Sequence, residues 1–294
     1  MVKYTSHRPS DRATDLPPAM ASFFQPDGRL TDEFTIDPAY DQYLTDRNNT
    51  QWLIPGQALR DSQGHVPGQF VSIQITSLSD PRQALLAGYS MSSGELPLQT
   101  SALFYIQAGS APDAYQITRP ITVSAPWPKI HGPLSLFSAT TTEIISSHRN
   151  GMLSWRKSTQ KISTFTFGRK RSIELKIPGS GIYAVAQKVP ARLARTMLTV
   201  RAYGLPETLH AARAFLLIDA SFPPLQLHQT APLDFSGFNL PSGKAAWLLV
   251  VGTRGDQFFY GLRRLAPLHN RVESIDLKPI RASQLRAIIQ NILL

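Results

Sequence analysis

The sequence predicts an all-β protein of two β-sandwich domains, with an extended N-terminal arm and a short C-terminal helix. Several short segments, such as residues 69–75 and 162–167, alternate polar and apolar residues, as half-buried strands do. Turn signals recur about every ten residues, a spacing typical of sandwiches and barrels. The 23 prolines and 18 glycines are spread along the chain, which favours short strands over long helices.

The length of the chain indicates more than one domain. It has 294 residues, whereas single hydrophobic cores stop growing at about 250 to 300 residues. We predict an acidic and polar arm over residues 1–50 and a first sandwich over 51–128. A linker with additional strands and a basic hairpin follows over 129–190, and a second β domain that ends in the helix covers 191–294.

Within these regions three local patterns lead to definite expectations. The arm has one alternating piece, residues 33–37, which can lend a strand to the domain behind it. The apolar segment 84–87 is grouped with the strand-like pieces. Only the C-terminus is predicted to be helical: Ser283 can cap a helix whose apolar residues recur at spacings of three and four, namely Leu285, Ile288, Ile289, Ile292 and Leu293. This helix is expected to pack on its own domain.

Composition excludes several classes of chemistry. The chain has no cysteine, so it contains no disulfide, thiolate metal site, cysteine nucleophile or lipid-modified cysteine. No apolar run approaches the roughly 18 residues of a membrane helix, so no transmembrane segment is predicted. The first residues lack the apolar core of a signal peptide, as expected for a cytoplasmic protein or for a mature chain whose leader has been removed.

Local motifs for catalysis or metal binding are absent from the sequence. The histidines are isolated and form no HExxH pattern: His7, His65, His131, His148, His210, His228 and His269. Residues 178–181 (PGSG) are interpreted as a turn. The loop aspartates are interpreted as turn-forming residues: Asp61, Asp80, Asp113, Asp219, Asp234 and Asp256. No catalytic residue, cofactor or metal ligand is predicted, although carboxylates brought together by the fold could form a glycosidase or calcium site.

The charge distribution supplies the candidate site. The whole chain carries a formal net charge of +10, and residues 144–206 contain twelve basic residues against one acid, Glu174. Residues 168–172 join two strand-like segments, so their basic side chains are expected to lie at the turn of a β-hairpin. An anionic partner can contact several of these side chains at once. The predicted partner-binding residues are Arg156, Lys157, Arg169, Lys170 and Arg171. The alternative is a solvated, solubilising face.

Aromatic residues accompany this basic span. Trp155, Phe165 and Phe167 lie close to it in the sequence. Because the phenylalanines alternate with polar residues, we predict that they face the core and do not form a stacking surface for a ligand.

Several stretches resemble uncharacterised cell-surface and lipoprotein-type proteins of Bacteroidota. The matching segments in the first half are 34–38 (FTIDP), 52–59 (WLIPGQAL), 61–68 (DSQGHVPG), 71–73 (VSI), 85–88 (LLAG) and 98–108 (LQTSALFYIQA). The resemblance implies a sandwich similar to the ZU5 class. Residues 235–244 (FSGFNLPSGK), Gly261 and 277–280 (LKPI) resemble the second, immunoglobulin- or transthyretin-like domain of such proteins. The resemblance also implies an extracytoplasmic location, in the periplasm or at the cell surface, and it offers no catalytic residue.

Together these observations predict a non-enzymatic structural or binding module of the bacterial envelope or surface. Its expected partner is an envelope or surface protein, or an anionic glycan such as lipopolysaccharide. Two alternatives remain open at this stage. One is a glycan-acting hydrolase with carboxylates assembled through the fold, and the other, less favoured, is nucleic-acid binding through residues 144–206.

Overall fold

The computed structural model describes residues 17–24, 30–92, 98–109, 114–126, 133–139, 155–167, 170–188, 195–204, 209–220 and 222–292. The protein is all-β, with β-sandwich architecture and a short C-terminal helix, which confirms the predicted fold class. Its sheets are built mainly from antiparallel neighbours, as expected for a chain rich in short strands and tight turns.

The described strands are short, as the proline and glycine content predicts. In chain order the first fourteen are β1 (Asp32–Ile36), β2 (Gln42–Thr45), β3 (Gln51–Ile54), β4 (Leu59–Arg60), β5 (Val71–Leu78), β6 (Met91–Ser92), β7 (Leu98–Ala108), β8 (Gln116–Ile117), β9 (Ile121–Pro126), β10 (Ser135–Ala139), β11 (Arg156–Lys157), β12 (Ser163–Phe167), β13 (Lys170–Ile177) and β14 (Gly181–Lys188). The others are β15 (Arg195–Tyr203), β16 (Ala211–Leu217), β17 (Leu225–Gln226), β18 (His228–Ala231), β19 (Asp234–Pro241), β20 (Ala246–Arg254), β21 (Gln257–Leu265), β22 (Arg271–Asp276) and β23 (Lys278–Ile280).

The first sandwich consists of two sheets that enclose one core. Sheet 1 has the strand order β1-β5-β7-β14-β10-β11, and sheet 2 has the order β12-β13-β9-β3-β2. Alternate residues of both sheets fill the space between them, and the indole of Trp52 meets the ring of Phe104 edge to face at 5.7 Å. A separate two-stranded ribbon joins β4 to β8.

The second sandwich combines sheet 3, in the order β18-β19-β15-β22, with sheet 4, in the order β23-β21-β20-β16-β17-β6. Its core includes Leu198 and Phe235 from sheet 3 and Leu216 and Leu248 from sheet 4. The pairing of β15 with β22 is parallel, whereas β15 pairs with β19 in the antiparallel direction.

The central strand β14 of sheet 1 is buried on both faces. In β14, Ile182 and Ala184 belong to the same apolar cluster as the core of the second sandwich, whereas Tyr183 and Val185 lie in the core of the first. Because successive strand residues point to opposite faces, this one strand contributes to two cores. Its first six residues are therefore all buried.

In the part of the chain that the structure describes, three helices lie against sheet 4: α1 (Pro18–Phe23), α2 (Pro81–Leu86) and α3 (Ala282–Gln290). Side chains from all three share one apolar cluster with Phe215 and Leu249 of the sheet. The expectation of a C-terminal helix that packs on its own domain is confirmed. The expectation that only this end is helical is wrong, because segment 84–87 belongs mostly to α2. Within the described residues no helix is long and apolar enough to cross a membrane.

The ends of these helices follow local chemistry. Asp80 caps α2 by accepting a hydrogen bond from the backbone N–H of Arg82, and Pro81 occupies the first helical position. In α3 the residue at the cap position is Arg281, and Gln284 accepts a hydrogen bond from its backbone N–H. The predicted cap, Ser283, therefore lies inside the first turn.

Strand pairing joins segments that are distant in the sequence. β13 pairs with β9 and β14 pairs with β7, so strands from the 129–190 segment complete both sheets that begin in 51–128. β1 and β2, from the predicted arm, add to the same two sheets. The predicted domain boundaries at residues 50, 128 and 190 stay a prediction.

Candidate functional site

The basic residues of the 144–206 span lie largely along one edge of the first sandwich. β11 is the outermost described strand of sheet 1 on this side, and β12 is the outermost described strand of sheet 2. Only residues 158–162 connect them, so the two strands lie on the same side of the sandwich. We call the described part of residues 155–171 the basic edge.

The predicted hairpin is present where the sequence placed it. β12 pairs antiparallel with β13, and Phe167 lies opposite Lys170 in the register. Arg169 lies outside the described residues. The backbone of Lys170 belongs to β13, and Arg171, the next residue, is exposed.

The described cations of the basic edge are open to solvent. Arg156, Lys157, Lys161 and Arg171 are all exposed. Arg156 makes a further contact within the chain, but within the described ranges the ammonium groups of Lys157 and Lys161 form no hydrogen bond or ion pair. Charged groups of this kind keep their capacity for charge-assisted hydrogen bonds to a carboxylate, sulfate or phosphate.

Phe165 is exposed, contrary to the prediction that it faces the core. In the register Thr164 lies opposite the buried Ile173, whereas Phe165 lies opposite Ser172, and residues opposite each other share a face. Phe165 therefore points to the outer face of sheet 2, where 48% of it is accessible. The alternation of polar and apolar residues does correspond to a strand. However, within the described residues no second sheet packs on the outer face of β12, so Phe165 is not covered.

Trp155 and Phe167 are the other two aromatic residues near the basic span. Trp155 is half-buried and packs against the apolar cluster shared by sheet 1 and the second sandwich. Its indole Nε1 is buried and has no hydrogen-bond partner within the described residues. The backbone of Phe167 closes β12.

The opposite edge of the first sandwich is acidic. β1 ends the order of sheet 1 on that side and β2 ends that of sheet 2. Residues 30–50, which contain both strands, carry five acidic residues and one basic residue. We call residues 30–50 the acidic edge. The sequence predicts that this segment is acidic, but its place opposite the basic edge follows only from the order of strands in the two sheets.

Asp46 connects the acidic edge to the core of the first sandwich. Its side chain is buried and accepts hydrogen bonds from the backbone N–H groups of Asn48 and Thr50, each at 2.9 Å. It also accepts one from the indole Nε1 of Trp52 at 3.1 Å. Since Trp52 is itself a core residue, this carboxylate fixes the turn between β2 and β3 on the sheet.

A second carboxylate of the acidic edge is paired within the chain. Asp32 Oδ1 lies 2.7 Å from Nη2 of Arg47, whose backbone N–H donates to Asp32 Oδ2. Partial burial on its own raises the pKa of the Asp32 carboxyl, but the hydrogen bonds and the positive charge of Arg47 outweigh it and lower this pKa below 3.8. Glu33 accepts a hydrogen bond from the Ser72 hydroxyl at 2.6 Å.

The loop aspartates behave mainly as turn and cap residues. Asp61 accepts hydrogen bonds from the backbone N–H groups of Gln63 and His65, and Asp219 pairs with Lys244 at 3.2 Å. Asp256 lies in the two-residue turn between β20 and β21. Asp234 opens β19, and Asp113 lies outside the described residues. Among the residues that the structure describes, no group of three or more histidine or carboxylate side chains could hold a metal ion.

Fold and surface together define a class: an all-β sandwich protein whose first sandwich carries opposite charge on its two edges. No protein-family model matches the sequence, and no curated protein matches it significantly. The resemblance to Bacteroidota surface proteins, with its ZU5-like and immunoglobulin- or transthyretin-like domains, stays a prediction.

Proposed function

We propose that this protein is a non-enzymatic binding module of the bacterial envelope or surface that docks an anionic partner on its basic edge. The partner is an anionic glycan or an acidic surface of another envelope protein. The observation that carries the proposal is the placement of Arg156, Lys157, Lys161 and Arg171, all exposed, on one side of one sandwich. The envelope location rests on the sequence resemblance described above.

The physical basis is the number of cations that one ligand can reach. Each exposed lysine or arginine gives little energy on its own, because water screens its charge. A polyanion that contacts several cations at once adds these small terms and orients itself along the edge. Phe165 adds an exposed ring on the adjacent outer face of sheet 2, against which the apolar side of a sugar can pack.

The test is retention on immobilised heparin across a salt series, with the triple variant Lys157→Ser, Lys161→Ser, Arg171→Ser. At about 0.5 to 1 kcal/mol for each cation near a polyanion, we expect affinity at low salt to fall about tenfold to hundredfold. A matched control removes three exposed cations elsewhere, Lys188→Ser, Arg264→Ser and Lys278→Ser. We expect the control to bind nearly as the parent does.

Three results would contradict this proposal. Equal losses in the triple variant and its control would mean that net charge alone attracts heparin. Unchanged retention of the triple variant would remove the basic edge as the binding surface. The third result comes from a duplex DNA column run in parallel. If the protein binds DNA more tightly than heparin, and its retention on DNA falls steeply with salt, the partner is nucleic acid and not a glycan or a protein.

A further inference from the structure

The two edges of the first sandwich are electrostatically complementary. Residues 155–171 contain six basic residues and no acidic one, whereas residues 30–50 contain five acidic residues and one basic residue. The strand orders place these segments at opposite ends of both sheets: β11 and β12 at one end, β1 and β2 at the other. The sandwich therefore has a charge dipole that runs across its strands.

Both ends also carry strands with a free side. Within the described part of the chain, β2 and β12 are hydrogen-bonded on one side only, to β3 and β13. Strands of four and five residues with unpaired backbone groups are templates for a further strand. Each edge also has an exposed aromatic residue, Tyr43 and Phe165, on the outer face of sheet 2.

We propose that a second copy of this chain docks head to tail, with its acidic edge against the basic edge of the first. Like charges oppose the pairing of two acidic edges or of two basic edges, so a two-fold symmetric dimer through either edge is disfavoured. Only the heterologous contact brings opposite charges together. Such a contact leaves one free edge of each kind, and the assembly therefore grows into an open chain or closes into a ring.

The first experiment is sedimentation velocity of the full chain over a range of concentrations and salt. At low ionic strength the weight-average mass is expected to rise with concentration. At about 0.5 M salt, where the Debye length is about 4 Å, it is expected to return towards that of one chain. A chain that sediments as a monomer at every concentration in low salt would overturn the proposal.

The second experiment weakens the charge of one edge at a time. Glu33→Lys with Thr45→Lys changes the net charge of residues 30–50 from −4 to −1, and Lys157→Glu with Lys161→Glu changes that of residues 155–171 from +6 to +2. All four positions are exposed. Each variant alone is expected to associate much more weakly than the parent. An equimolar mixture is expected to recover association, because the unchanged basic edge of the first variant meets the unchanged acidic edge of the second. A control with the same change of charge as the second variant, Arg264→Glu with Lys278→Glu, is expected to associate like the parent.

The outcomes separate this inference from the proposed function. Two results would overturn the head-to-tail contact. One is that either variant alone associates as strongly as the parent, and the other is that the mixture fails to associate while both variants keep the thermal midpoint of the parent. The variant with Glu33→Lys and Thr45→Lys leaves the basic edge intact, so its heparin retention is expected to remain. If this variant loses self-association but still binds heparin, the acidic edge is needed for contact with the second copy and not for binding of the polyanion.

Discussion

The acidic and basic edges of the first sandwich differ in what their charges contact. On the acidic edge, Asp46 holds a buried turn, Asp32 pairs with Arg47 and Glu33 accepts a hydrogen bond from Ser72. On the basic edge, the ammonium groups of Lys157 and Lys161 have no ion-pair or hydrogen-bond partner within the described residues and face solvent. These three acids are therefore bonded within the chain, whereas the ammonium groups of the two lysines are available for partners.

This difference separates two kinds of mutational effect. Removal of a carboxylate that satisfies buried donors lowers the free energy of unfolding, because those donors lose their partners. Removal of a solvated ammonium leaves the folded state nearly unchanged, so any effect it has must be seen in association. Three variants, in order of decreasing expected effect, test the contrast.

Asp46→Ala is expected to have the largest effect. It leaves the Nε1–H of Trp52 and the N–H of Thr50 unpaired in the interior, at a cost of about 2 to 3 kcal/mol in the free energy of unfolding. Urea denaturation measures this loss. Asp46→Asn keeps one acceptor oxygen and is expected to lose less. A loss below about 1 kcal/mol for the alanine variant would mean that this carboxylate is not structural.

Asp32→Asn is expected to cost about 0.5 to 1 kcal/mol at neutral pH, as for a partly exposed ion pair. The hydrogen bonds and the positive charge of Arg47 hold the folded-state pKa of Asp32 below its ordinary value, so the stabilisation by this pair is fully present above the unfolded-state pKa. It is lost as the pH falls through the folded-state pKa. The difference between parent and variant should therefore disappear in acid, as urea denaturation at a series of pH values can show. A difference that grows in acid would contradict the pairing.

The triple variant Lys157→Ser, Lys161→Ser, Arg171→Ser is expected to have the smallest effect on stability, within about 0.5 kcal/mol of the parent. Its three side chains are exposed. Thermal and urea unfolding measure the difference. A loss as large as that of Asp46→Ala would mean that these cations have a structural role.

The sequence predicted the strands whose burial is decided locally. Residues 69–75 alternate in polarity, and β5 occupies most of that segment with Ile73 and Ile75 buried. The short helix α2 was missed because six residues are too few for a helical period to be visible. Asp80 followed by Pro81 was the available signal, as a cap and a first helical residue.

Burial that depends on neighbouring sheets could not be predicted in this way. Phe165 and Val185 both lie in alternating or apolar strand segments, yet one is exposed and the other fully buried. The first belongs to an outer strand of sheet 2, and the second to a central strand of a sheet covered on both faces. That difference is set by the order of strands, which depends on long-range pairing.

The candidate site shows the same division. The basic hairpin was predicted because its turn and its cations are adjacent in the sequence. The acidic edge was not, because its position opposite the cations follows from the order of strands in two sheets. A pattern within one segment cannot show which segment lies at the other end of the sheet.

The segment between β5 and β7 packs on the second sandwich, and this affects the order in which contacts can form while the chain is being translated. Residues 79–92 leave the first sandwich to form α2, which packs beside α3, and β6, which pairs in parallel with β17. Arg82 donates to the backbone carbonyl groups of Gln290 and Ile292, some two hundred residues later. During synthesis β6 can therefore pair as soon as β17 has emerged, whereas Arg82 and the side of α2 that faces α3 remain without these partners until residues 282–292 have been made.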